Sequence, residues 1–247
     1  MVHLVLLTLL SAPVQSGETP ADLGWESLFN GEDLSGWVVP EGDNGHWKVV
    51  DGVIDYDAGS EASGSKNLVS EREFGDFVME LEWRQKPTGF VSEVPIVLPD
   101  GRYLKDAAGN QVMLPRDDPD SGVYLRGHNR TQINIWGWPV GSGEMYGIRN
   151  NKDTPDDLRA AVTPRVRADN PLGEWNKFTV VLVGRTLTVL LNDHTIISEA
   201  ELPSDMPLRG PITLQHHGGL NADGSPKPRS SLVQFRNIIV KELPAAK

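Results

Sequence analysis

Apolar and polar residues alternate with a period of two through most of this chain, in short segments cut by Gly-, Pro-, Asn- and Asp-containing turns. Successive strand side chains point to opposite faces, so such segments bury their apolar half only by pairing into sheets. HWKVVDGVIDY alternates around Asp51-Gly52, a strong hairpin signal, with Trp47, Val49 and Val53 facing one way. DFVMELEWR sets Phe77, Met79, Leu81 and Trp83 inward and Glu80, Glu82 and Arg84 outward. GEWNKFTVVLVGRTLTVLLNDHTIISEAEL reads as a meander turning at Gly184-Arg185 and Asn192-Asp193, and PITLQHHG and SLVQFRNIIVKEL close the set. NKDTPDDLRAAVTP reads as a short helix with Thr154 as cap, Pro155 in the first turn, Asp156 and Asp157 favoured by the helix dipole, and an end by Pro164. The expected architecture is all-β: two antiparallel sheets in a jelly-roll β-sandwich, with one short helix, as a single domain over 24–244. Between about 85 and 120 the pattern loosens into an insertion, with a hairpin at Asp100-Gly101 and an acidic PRDDPD loop, placed as a wall or lid over a site.

The polar half of the pattern is chemically loaded in one stretch, Ser121 to Asn150. Val123, Leu125, Ile133 and Ile135 can point into a core while Tyr124, Arg126, Gln132, Asn134 and Trp136 share the other face. A guanidinium, two carboxamides and two aromatics can present fixed hydrogen bonds and flat apolar surface to a ligand, and we read them as the floor of a sugar-sized cleft. In ITLQHHG the same period sends Ile212 and Leu214 inward, so Thr213, Gln215 and His217 face outward; a slip of one residue would exchange them. His217 beside Gln215 is a candidate general base, and His128, at the end of the Arg126 strand, is a second.

Charge and composition narrow the partners. With 34 acidic against 23 basic residues the chain carries −11, which works against nucleic acid or an anionic membrane and suits a neutral ligand. The absence of cysteine excludes disulfides, thiolate nucleophiles and Cys-ligated metal. Asp117, Asp118 and Asp120 lack the spacing of a calcium loop, and the six histidines form no tight ligand motif. MVHLVLLTLLSAPVQS has the layout of a signal peptide over 1–16, followed by a polar linker over 17–23, implying a periplasmic or secreted protein. Its apolar run falls well short of the roughly 20 residues that span a bilayer, so no membrane insertion is expected.

The motifs SLFNGEDLSGW, WKVVDGVI, FGDFVMELEWR, SGVYLRG, MYG at Met145–Gly147, GEWNKF, RGPITLQHHG and VQFRNIIVKEL are each weak but together specific. In this order and spacing the chain resembles the 3-keto-disaccharide hydrolase family, whose fold is the concanavalin A-like sandwich. The resemblance implies action on glycosides oxidised at carbon 3. By position, Arg126, Tyr146, Glu82, Gln215 and His217 match recurrent family residues. TQINI stands where many members carry a carboxylate and an amide, which leaves the general acid and base open. A C3 ketone acidifies the C2 hydrogen, so a single base can start elimination of the C1 substituent. His217 is the expected base. Arg126, Gln132 or Asn134 would hold the enolate oxygen, Tyr146 or Glu144 would pass a proton to the leaving oxygen, and Trp136 would stack under the ring. Glu82, Tyr124, His128 and Gln215 complete the expected binding set. No cofactor is expected, while a divalent ion polarising the ketone stays open. The Glu/Asp/Glu strand signature of sandwich glucanases is absent, so the alternative reading is a non-catalytic, lectin-like carbohydrate-binding module.

Overall fold

The computed structural model describes residues 23–244; the expected signal peptide and nearly all of the linker lie outside the described residues. Strands are numbered β1–β15 in chain order. The larger, eight-stranded sheet runs β13 (His194–Glu201), β12 (Thr186–Leu191), β11 (Asn176–Val183), β6 (Phe77–Gln85), β15 (Leu232–Glu242), β4 (Val53–Asp57) and β3 (Lys48–Val50), with β1 (Glu26–Ser27) also paired to β15. The smaller sheet runs β10 (Gln132–Ile135), β9 (Ser121–Tyr124), β14 (Gly210–Leu214), β5 (Leu68–Phe74) and β2 (Trp37–Val38). Every pairing in both is antiparallel. Their apolar faces close on one core, a jelly-roll sandwich in which Phe77, Met79, Leu81 and Trp83 of β6 meet Val123, Ile133, Ile135 and Leu214 of the smaller sheet.

The alternation of β6 is realised residue by residue, with Glu80, Glu82 and Arg84 on the outer face. Turns fall where expected. Asp51 and Gly52 (φ 50° and 76°), and Asn192 and Asp193 (φ 49° and 65°), occupy the left-handed region that two-residue hairpins require. Two local readings change. Val49 lies opposite Ile54 in the ladder, so Ile54 and Tyr56 take the buried places that we assigned from Val53. The helix α2 (Asp156–Ala161) is preceded by Pro155 and has no side-chain cap, because the Thr154 hydroxyl donates to the Ile148 carbonyl at 2.7 Å instead. An additional short helix, α1 (Tyr146–Arg149), follows β10 in sequence and had no periodic signal.

The insertion forms its own hairpin of β7 (Val91–Pro95) and β8 (Met113–Asp117), extended by a narrower one closing at Asp100-Gly101. It is anchored by a second apolar cluster of Val94, Val97, Trp136 and Trp138, against which Tyr103 packs. That cluster fixes the insertion to the end of β10, beside the polar face of the smaller sheet.

Candidate active site

The register of the smaller sheet assembles the site. Gln132 lies opposite Tyr124 across β10 and β9, and Tyr124 opposite Thr213 on β14, so these side chains share the face turned away from the core. Asn134 lies opposite Gly122, where a Cβ would stand 2.5 Å from Gln132 Nε2. The glycine therefore clears the path by which Gln132 Nε2 donates to both Asn134 Oδ1 and Gln215 Oε1, each at 2.6 Å. Asn134 Nδ2 has no partner among the described residues and remains a donor. Gln215 meets the Tyr124 hydroxyl, whose pKa burial pushes up. Above this row opens a cleft of about 370 Å³ lined by Tyr124, Gln132, Asn134, Trp136, Tyr146, Gln215 and His217, together with Asp120, Asn129, Arg130, Gly147 and Arg229. Past Tyr124 and Asn129 it continues into a shallower depression of about 340 Å³, where His128, Asn67 and Thr213 line the wall.

His217 is held in one tautomer. Its Nδ1 lies 2.9 Å from the Arg229 carbonyl, which can only accept, so Nδ1 carries a proton and in the neutral tautomer it is Nε2 that holds the lone pair. The backbone assists, with His217 N donating to Ser231 Oγ at 2.7 Å. Nε2 stands 4.0 Å from Asp120 Oδ2, and the imidazole is 41 % exposed to the cleft.

Arg229 is the cation beside His217. Its Nη2 donates to Asp120 Oδ2 at 2.5 Å, its Nε lies 3.2 Å from Asp118 Oδ2, and its guanidinium sits 5.6 Å above the Trp138 ring. Nη1 has no partner among the described residues and can serve a ligand. Asp118 also receives the Gly137 N–H at 2.9 Å and Trp138 Nε1 at 3.0 Å. Burial raises both carboxyls: Asp118 sits above the usual range, and Asp120 reaches about 6 against the pull of His217 and Arg229.

The end wall is aromatic. Trp136 and Trp138 stack in parallel at 3.8 Å, and Tyr146 stands edge-on to both. Trp136 is only 2 % exposed and its Nε1 donates to the Gly141 carbonyl, so it supports the wall and offers no open stacking face; Tyr146, 36 % exposed, does.

Three expected site residues lie elsewhere. Arg126 adopts φ 51°, which ends the strand and swings its side chain under the sheet edge. There it donates to the carbonyls of Gly75, Gly184 and Pro207 and to Asp76, a structural clasp. Glu144 is fully buried against Arg149, with Nε and Oε1 2.8 Å apart. Glu82 is on the outer face of the other sheet, bonded to Arg236 at 2.7 Å and Asn237 at 2.9 Å. His128 lines the adjoining depression, where its Nδ1 accepts from Arg130 N. Conversely, sequence reasoning missed Arg229 as a site residue and met Asp118 and Asp120 only as a poor calcium loop. Nothing periodic marks them, because they come from two irregular loops 109 residues apart. Among the described residues no three Asp, Glu or His side chains converge as a metal-holding group.

A model of the 3-keto-alpha-glucoside-1,2-lyase-like domain matches residues 24–241. A 3-keto-disaccharide hydrolase of Bacteroides thetaiotaomicron is 25 % identical over 261 residues, covering 96 % of this chain and 84 % of that protein. Two solved structures, both of candidate glycosyl hydrolases from Parabacteroides distasonis, share the fold. One has a TM-score of 0.57 at 20 % identity, covering 94 % of this chain and 99 % of that one. The other has 0.52 at 21 %, covering 89 % and 84 %.

Proposed function

This chain belongs to the 3-keto-alpha-glucoside-1,2-lyase-like family, and from that membership we propose that it cleaves glycosides whose sugar carries a ketone at carbon 3. The observation that carries the reading is His217, whose Nδ1–H is tied to the Arg229 carbonyl and whose Nε2 faces the cleft as a proton acceptor. A C3 ketone makes the C2 hydrogen acidic enough for an imidazole. His217 Nε2 takes that proton, and the electron pair moves through C2 onto the C3 oxygen. Arg229 Nη1 and Asn134 Nδ2, two uncommitted donors beside His217 in the cleft, receive the developing enolate. When the enolate collapses, the C3 carbonyl and a C1–C2 double bond form and the glycosidic oxygen departs, protonated by Tyr146. Addition of water to that double bond completes hydrolysis; its omission gives the lyase outcome. The aglycone extends toward His128 and Asn67 in the adjoining depression.

The test is aglycone release from a chromogenic 3-keto-glucoside beside the unoxidised glucoside. Release from the keto compound alone is the expected result. Release from neither, with measurable sugar binding, would leave the amide row of Gln132, Asn134 and Gln215 as a lectin-like recognition surface and overturn the enzymatic reading.

A pH dependence follows from Asp120. Its charge anchors Arg229 Nη2, and its pKa is raised to about 6. Below that value the carboxyl is neutral and Arg229 Nη2 loses its charged partner, leaving Asp118 at Nε; above it both are in place. We expect kcat/KM for the keto substrate to rise with pH through about 6, a limb that Asp120→Asn flattens at a low plateau. An unchanged profile in Asp120→Asn would remove this assignment.

A further inference from the structure

Resting on the elimination reading above, we propose that Tyr103, carried in by the inserted hairpin, is a positioning residue that aims the proton of Tyr146 at the leaving oxygen through Asn150. Arg149 Nη2 donates to the Tyr103 hydroxyl at 3.2 Å, Tyr103 Oη donates to Asn150 Oδ1 at 3.1 Å, and Asn150 Nδ2 donates to the Tyr146 hydroxyl at 3.0 Å. The direction of this relay is set at its start. A guanidinium has donors only, so Tyr103 accepts from it and spends its own proton on Asn150. The Asn150 amide is thereby oriented with its nitrogen toward Tyr146. Tyr146 accepts that bond, which leaves its phenolic proton for the cleft.

Packing fixes the start of the relay, Arg149 and Tyr103. The Arg149 guanidinium lies 4.8 Å from the Tyr103 ring centre and 5.5 Å from that of Tyr146, a cation between two aromatic faces. Arg149 Nη1 also donates to the Gly101 carbonyl at 3.1 Å, tying the narrow hairpin to α1. Tyr103 packs on the cluster of Val94, Val97, Trp136 and Trp138. A chain of bonds that begins at a cation polarises each member in turn, which strengthens the last donor.

In the step itself, the C2–H electron pair has already passed to the enolate and its proton to His217. As the C1–O bond breaks, its electron pair leaves with the glycosidic oxygen, which takes the Tyr146 proton; water then reprotonates the phenolate. A sugar or alkyl leaving group needs that proton, whereas p-nitrophenolate is stable without it.

Tyr103→Phe keeps the ring and its packing but removes the hydroxyl. Without it Asn150 can turn over and accept the Tyr146 proton. We expect turnover of a 3-keto-glycoside with an alkyl or sugar aglycone to fall about 10- to 100-fold, within the range of a general acid's contribution, and turnover of the p-nitrophenyl compound by less than about threefold. Exchange of the C2 hydrogen in D₂O, followed by NMR, is expected to persist at the wild-type rate. Asn150→Asp, which also presents only acceptors to Tyr146, is expected to give the same selectivity. Equal losses for both leaving groups, or no loss, in either variant would overturn the relay while the wild type still cleaves. A wild type that neither exchanges C2 hydrogen nor cleaves any 3-keto-glycoside would instead overturn the reading beneath it, and the relay with it.

Discussion

His217→Asn is expected to lower kcat on a 3-keto-glucoside by roughly 10²- to 10⁴-fold while leaving the fold intact. An asparagine amide can still donate to the Arg229 carbonyl that now receives Nδ1–H, so the strand end and the Ser231 bond stay in place. What disappears is Nε2, the only part of the imidazole turned to the ligand. The same variant should abolish C2 hydrogen exchange, because proton removal precedes every later step. An excess of free imidazole should restore part of it. Near-normal exchange in His217→Asn would assign the base elsewhere, with Asp120 first in line at 4.0 Å from Nε2.

Arg149→Met is expected to destabilise the protein by up to about 3–5 kcal/mol above neutral pH, where Glu144 is charged, the usual cost of leaving one member of a buried ion pair without its partner. Glu144 is fully buried, and among the described residues its carboxylate meets no side-chain donor other than Arg149. Arg149 Nε at 2.8 Å supplies its countercharge. Burial pushes Glu144 up from 4.5 to about 7 even with that cation present. A carboxyl whose folded-state pKa lies above its unfolded value holds its proton more tightly when folded, so it costs stability as pH rises from about 4.5 through 7. In Arg149→Met the folded pKa climbs further and this cost grows. The deficit should therefore be largest above neutrality and shrink toward pH 5, where Glu144 is neutral and needs no cation. Urea unfolding at several pH values measures it; a deficit independent of pH would show that Arg149 acts through its bonds to Gly101 and Tyr103 and not through charge.

Both experiments turn on residues that differ in how readily they are read from the chain. His217 follows from counting: Ile212 and Leu214 must be inside, so Thr213, Gln215 and His217 are outside, and the pleat leaves no third choice. The same count finds Tyr124, Gln132 and Asn134. It fails at Arg126, two residues past Tyr124, because a left-handed φ of 51° ends the alternation there. A basic side chain at the end of a polar strand face looks identical in sequence whether it meets a ligand or three carbonyls. Glu144 is a similar case, since an acidic residue two positions before a tyrosine carries no mark of the arginine five residues later that will cover it.

The period-two pattern and its turn residues determined by themselves that this chain pairs into antiparallel sheets closed on one apolar core, and which side chains line the open face of the smaller one. These are consequences of local geometry, repeated at every second residue and punctuated by Asp-Gly and Asn-Asp pairs that admit positive φ. The folded structure alone decided what stands over that face. Arg229, Asp118 and Asp120 come from loops with no period, and Tyr103 from an insertion attached through a separate cluster of tryptophans. Their meeting depends on desolvated charges finding counterions and on irregular backbone finding donors. Such contacts are long-range, and they leave no repeat in the sequence to count.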